Sequence, residues 1–412
     1  MSKHHQRLNS HAAPLLLGAF GDPGHAFPMI ALGTRLAARG HRVTLQTWER
    51  WRDAVEAAGM EFAAAPQYDV FPALGRSLKP YEAAVRAAVE MEGLVEELRP
   101  AAVVADILTL APALAGERAG VPVATLVPHV FPPSGAGFPP YSLGARLPRT
   151  RAGRALWDRV GRLAGGGLAQ GRDELNGTRR RLGLAPVDEV HGGISRALCL
   201  VATFPQLEYP RAWPSWARVI GPLLWELPFG DVELPPGDEP LVLVAPSTSQ
   251  DPDHRLLRAT LRGLARAPVR VLATTNRRPP REPIAVPANA RLVDWVSYAR
   301  TMPHCDVVVC HGGHGTVARA LASGCPVVAI PAAGDMNENA ARLAWSGLGT
   351  RLPGRLTTPT AIRLAVERTL ADPAIATRAA AAATWLETND PATRAAEILE
   401  EFALNSVPTD PG

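Results

Sequence analysis

Twice along this chain, short apolar runs alternate with amphipathic stretches, and few folds accommodate that pattern. Residues 15–20 form an unbroken apolar run ending in Phe20, the signature of a strand buried on both faces. A glycine turn from Gly21 to His25 follows, and Pro28 falls at a helix opening ahead of Ile30, Leu32 and Leu36. Gly40 closes that helix, and residues 42–47 form the next strand. The unit recurs, with helices over 52–58, 81–98 and 112–119 and strands over 61–65, 102–106, 123–127 and 198–202. Such alternation predicts a parallel sheet with helices on both faces.

A second series begins after a segment rich in proline, 222–240. Strands are expected at 241–244, 269–273, 306–310 and 326–330, with helices at 255–266, 316–323 and 337–345. Three further helical stretches, 360–370, 375–386 and 392–402, end the chain. With 412 residues there is enough chain for two cores. The organisation read from this pattern is a tail over 1–14, one domain over 15–221 and a linker over 222–240. A second domain follows over 241–390, and a terminal helix and tail over 391–412 cross back to the first. The fold class is α/β, two Rossmann-like domains facing across a cleft.

Composition narrows the function. The 43 basic and 39 acidic residues are interspersed without a like-charge block, which excludes a nucleic-acid footprint. The four cysteines form no C-x-x-C pair, which argues against a disulfide framework and a structural zinc. No run approaches the roughly 18 apolar residues of a membrane span, and the first residues lack a signal-peptide pattern, so a cytoplasmic home is expected.

The residues 310–316, Cys-His-Gly-Gly-His-Gly-Thr, lie between a β-run and a helix. Glycines there let a ligand approach the backbone, and a helix opening near Thr316 points free N–H groups at it, a cradle for a diphosphate. His311 adds a ring N–H and Thr316 a hydroxyl. A turn that merely needs glycines is the plainer alternative. Gly313, Gly315 and Ala318 also satisfy a dinucleotide fingerprint with Asp335 downstream, which keeps an NAD-dependent oxidoreductase in view. That fingerprint normally occupies the first βα turn of a nucleotide domain, and here it lies on a later one. In the first half, His25 follows one strand and Asp106 closes another, both at the carboxyl ends where ligands bind in parallel sheets. An imidazole backed by a carboxylate suits removal of an acceptor's proton. A turn histidine bonded to backbone and a helix-capping aspartate are the alternatives.

Three ordered stretches of the second half carry a resemblance: Asp294-Trp295-Val296-Ser297-Tyr298, the 311–316 turn, and residues 334–340 from Gly334 to Ala340. With residues 24–28 and Ala105-Asp106, they are similar to the GT-B natural-product glycosyltransferases, inverting enzymes of the macrolide and enediyne type related to UDP-glycosyltransferases. The resemblance spans nearly the whole chain. It implies a sugar moved from a UDP- or dTDP-sugar onto a small apolar acceptor, with no cofactor beyond that co-substrate and no metal. It implies His25 and Asp106 as a catalytic pair. Trp295 would stack on the nucleobase beside Val296. Ser247, Thr248, His311, Gly313, Gly315 and Thr316 would hold the diphosphate, and Asp335 and Asn339 the sugar and neighbouring phosphate.

Three positions depart from the family pattern. Asp335-Met336 lacks the glutamine that often reads a hexose, Arg319 replaces a ribose-binding glutamate, and Tyr298 replaces a glutamine near the base. These leave room for a deoxysugar on dTDP. A nucleotide-sugar epimerase or hydrolase of the same fold is the alternative function, and a homodimer is compatible with the sequence. Asp251-Pro252-Asp253 has the spacing of a metal-binding pair, but its place at a helix start reads better as capping. His129 and the loop after it, crowded with proline, glycine and aromatic residues, line the acceptor pocket or serve only as structure.

Overall fold

The computed structural model describes residues 13–66, 80–247, 251–332 and 334–405. Its first sheet holds β1 (Pro14–Gly18), β2 (Arg42–Thr47), β3 (Glu61–Ala64), β4 (Ala102–Asp106), β5 (Val123–Val127), β6 (Leu198–Val201) and β7 (Ala217–Val219). All neighbours pair in parallel, in the order β3-β2-β1-β4-β5-β6-β7. The second sheet holds β8 (Leu241–Ala245), β9 (Arg270–Thr274), β10 (Ala290–Val293), β11 (Val307–Cys310), β12 (Val327–Ala329) and β13 (Gly349–Arg351). It is also parallel, in the order β10-β9-β8-β11-β12-β13. In both, the chain starts in the middle, builds outward one way, then returns to build the other way. The strand order therefore reverses between β1 and β4 and again between β8 and β11, where parallel sheets open a crevice at their carboxyl ends.

The first domain's helices are α1 (Pro23–Ala38), α2 (Arg52–Ala57), α3 (Pro80–Glu90), α4 (Glu92–Leu98), α5 (Leu110–Arg118) and α6 (Arg151–Arg181). The second's are α7 (Arg255–Leu264), α8 (Tyr298–Thr301), α9 (His314–Ala322), α10 (Asp335–Ser346), α11 (Pro359–Ala371) and α12 (Pro373–Thr388). The last, α13 (Pro391–Asn405), returns to the first domain. Its Ala395, Ala396 and Leu399 lie in one core with Leu17, Met29 and Ile30. Arg39 holds Glu400 through two hydrogen bonds of 2.7 Å and His41 adds a third, which fixes α13 against α1. Residues 222–240 contain neither helix nor strand and carry the chain between the sheets.

Four differences from the sequence reading have local causes. The strands β7, β10 and β13 are only three or four residues long and lie at or near the outer ends of the sheets, so no apolar run announces them. The helix expected over 81–98 divides at Met91, although Met91 N–H still reaches Ala87 and its carbonyl accepts from Val95, so it bends without breaking. Seven glycines fall inside α6, yet it runs as one 31-residue helix with Thr150 capping Gly153 N–H. The cradle helix starts two residues early, at His314.

A buried charge network joins the domains. Arg342 on α10 donates to Glu208 of the first domain at 2.5 Å and to Glu338 on its own helix at 2.8 Å. The other oxygen of Glu208 accepts from Phe131 N–H at 2.6 Å, and Arg342 also reaches the Phe131 carbonyl. Removing one partner from such a buried pair typically costs about 3–5 kcal/mol, because the other charge stays buried. Tyr209 packs edge-on against Trp345 at 5.0 Å beside Phe138 and Leu147, so the loop after β5 serves largely as inter-domain packing.

Candidate active site

Each crevice takes its residues from the two strands that flank it. In the first, His25 lies in the opening turn of α1 after β1, and Asp106 ends β4. The His25 Nδ1–H donates to Asp106 Oδ1 at 2.7 Å. Asp106 is buried, its side chain 1% exposed, and Oδ2 accepts from Phe20 N–H at 3.3 Å. The His25 ring remains 17% exposed, so with Nδ1 engaged the nitrogen left for an incoming group is Nε2. Burial disfavours the charged ring, but the Asp106 charge and hydrogen bond outweigh it, with help from Asp335 and Asp22, and the pKa rises above 6.5.

Beside it, His129 packs edge-on to His25 at 6.2 Å and donates from Nδ1 to its neighbour's carbonyl on Val130 at 2.8 Å. Burial lowers its pKa and the charge of His25 lowers it further, so this ring is held neutral. The Tyr141 hydroxyl lies 3.3 Å from the same nitrogen. Of the loop over 131–150, Tyr141 therefore meets His129 beside His25, whereas Phe138 and Leu147 pack with Tyr209 against Trp345 of the second domain.

In the second crevice, β8 leads to Ser247, which is buried, and β11 leads to the glycine turn. Thr248 lies outside the described residues. The first turn of α9 has no side-chain cap, and Gly315 and Thr316 sit at its second and third positions, Gly315 facing solvent. An added Cβ on Gly315 would meet nothing within 4 Å. Uncapped N–H groups at an open helix start form an anion site. The neighbouring glycines are needed for different reasons. Gly312 has φ +80°, and a Cβ on Gly313 would fall 2.3 Å from His311 Nε2. His311 Nδ1–H points to the Ala245 carbonyl at 3.4 Å, and burial lowers its pKa, leaving Nε2 bare above the turn.

His314, the first residue of α9, turns inward and is buried; desolvation, then the charge of His129, push its pKa to about 3. Asn339 is fully buried as well. Its amide donates to the Gly312 carbonyl at 3.1 Å and to Asp335 at 3.4 Å, so it braces the turn from beneath. Asp335 opens α10 and lies where its charge acts on His25, His129 and His311 together. It stands between the two crevices.

Trp295 is half-buried with the Arg277 guanidinium 4.7 Å over its ring. Val296 is buried in the second domain's core, so only its backbone can meet a ligand. Arg319 is opposed by Glu226 of the connecting segment, which accepts from the Ser297 hydroxyl and Ala299 N–H. Asp251 accepts from both Arg255 and Leu256 N–H at 3.0 Å, so its carboxylate serves α7.

Two family models match the chain. Residues 15–125 match the glycosyltransferase family 28 N-terminal domain, and residues 258–402 match the erythromycin biosynthesis protein CIII-like C-terminal domain. The 4'-demethylrebeccamycin synthase of Lentzea aerocolonigenes is 28% identical over 94% of this chain and 99% of its own. The O-mycaminosyltylonolide 6-deoxyallosyltransferase of Streptomyces fradiae is 28% identical over 94% and 97%. Among solved structures, the glycotransferase of kitacinnamycin superposes with a TM-score of 0.75 at 22% identity, covering 95% of this chain and 99% of that one. Fold, crevices and likenesses agree on an enzyme, a glycosyltransferase of GT-B architecture. The two models and the relatives support a glycosyltransferase similar to those of macrolide and antibiotic biosynthesis. No helix among the described residues is long and apolar enough to cross a membrane.

Proposed function

We propose that this enzyme moves a hexose or deoxysugar from a UDP- or dTDP-sugar to a hydroxyl of a small apolar acceptor, in one inverting displacement. The observation that carries the reading is the 2.7 Å His25–Asp106 pair, set across the cleft from an uncapped helix start, with Asp335 acting on both sides. His25 Nε2 takes the acceptor's proton as its oxygen attacks the anomeric carbon, and Asp106 steadies the imidazolium that forms. The diphosphate leaves into the N–H groups of Gly315 and Thr316, with His311, Gly313, Ser247 and Thr248 around it. Asp335 meets the sugar, Asn339 holds Asp335 and the turn in place, and Trp295 with the Val296 backbone receives the base. The relative named for a 6-deoxyallosyl unit supports a deoxysugar donor.

The test is a panel of UDP- and dTDP-sugars with apolar polycyclic and macrolide alcohols, read by released nucleotide and by the product's anomeric proton coupling. Acceptor-dependent release with inverted configuration is expected. Retained configuration would overturn the single displacement, and release without acceptor would make the enzyme a hydrolase.

A further inference from the structure

At the opposite end of α10 from Asp335, about 18 Å along a helix of this length, lies a second concave surface of about 480 Å³. Four arginines line it: Arg146 from the first domain's loop, Arg351 on β13, Arg368 on α11 and Arg378 on α12. Among the described residues none of the four is ion-paired. Asp372, the single acid in the lining, directs its carboxylate to Ala374 N–H at 3.0 Å as the cap of α12.

Two of the guanidiniums are held in place by backbone. Arg378 Nε donates to the Gly347 carbonyl at 2.8 Å, and Arg351 donates to the Gly144 carbonyl across the domain boundary. Arg351 Nε is buried and has no partner. Burial, then the like charge of Arg146, lowers the pKa of Arg351, and both cations line the same cavity. Like charges gathered in a concavity raise the local potential and draw in counter-charge. Planar forks match the oxygens of phosphate groups. No aromatic ring lines the cavity to receive a base.

We propose that this cavity binds a small phosphate-bearing anion without a nucleobase, pyrophosphate or a sugar phosphate in class, at a site separate from the donor cradle. Because Arg146 belongs to one domain and the other three to the second, the anion ties the domains together beside α10.

Calorimetric titration of the full chain with pyrophosphate at constant ionic strength tests this, comparing wild type with an Arg368→Gln, Arg378→Gln double variant and an Arg146→Gln variant. All three side chains are exposed, so the fold survives, and the cradle is common to every protein compared. One saturable binding event in wild type should weaken about tenfold or more in the double variant, the scale of a lost charge-assisted contact. It should also weaken in Arg146→Gln. Absence of that event in wild type, or equal affinity in the double variant, would overturn the proposal. Citrate binding as tightly as pyrophosphate would overturn the phosphate class.

Discussion

The crevice between β1 and β4 and the crevice between β8 and β11 share one frame and differ in what the chain places there. The first presents two side chains, an imidazole and a buried carboxylate 2.7 Å apart. The second presents backbone, the open start of α9 with glycines around it. Side chains can move a proton and so suit bond-making, whereas backbone N–H groups suit a fixed negative charge. The difference predicts separable failures. His25→Ala removes the proton acceptor and should lower turnover by about 10²–10⁴-fold, while donor affinity measured by calorimetry stays within about twofold. A wild-type rate would place the base elsewhere.

The reverse failure belongs to the second crevice. Gly313→Ala forces a Cβ to within 2.3 Å of His311 Nε2 and should displace that ring. His311→Ala removes it. Each should weaken donor binding about 10–100-fold, the worth of roughly 1.5–3 kcal/mol for a contact to a charged group, and neither should move the pH dependence set by His25. Unchanged donor affinity in both variants would detach the glycine turn from the diphosphate.

Much of this frame was legible in the sequence because buried parallel strands announce themselves as apolar runs. Residues 15–20 and the β11 run are examples, and the turns that follow them contain the glycines. What stayed hidden was three-dimensional. Nothing in the sequence separates His314, which turns inward, from His311 three residues earlier. The full burial of Asn339 follows from the path of α10, and Arg342 shows its role only once Glu208, 134 positions away, is beside it. The side chain of Val296 is buried in the core, and its place in the loop between β10 and α8 does not reveal which way it points.

The crevices should also answer pH in opposite senses. His25 must be unprotonated to act, and its pKa is raised, so kcat/KM should rise with pH along a limb centred above 6.5. Asp106→Asn removes the charge that raises it and leaves burial, so the limb should move below 6.5 and the rate at the plateau should fall. His311 is neutral when empty, with Nδ1–H engaged and Nε2 bare. To donate from Nε2 to a diphosphate it must gain a proton. Donor binding should therefore take up a proton near neutral pH and weaken by up to about tenfold per unit as pH rises. Calorimetry in buffers of different ionisation enthalpy reads that proton directly, and zero uptake would remove His311 from the phosphate.

The smallest effect concerns metal. A diphosphate leaving into helix N–H groups already meets positive partial charge, and Asp251, the first of the D-x-D pair, is otherwise engaged. Asp251 accepts from two N–H groups at the start of α7. Turnover should therefore be the same, within error, in EDTA and in added Mg²⁺ or Mn²⁺. Asp251→Asn should lower stability by about 1 kcal/mol or less, the scale of a weakened cap, and should leave the chelator result untouched. A rate lost in EDTA and restored by Mg²⁺ would mean that the second crevice needs a cation as well as its backbone. The contrast between a side-chain crevice and a backbone crevice would then no longer hold.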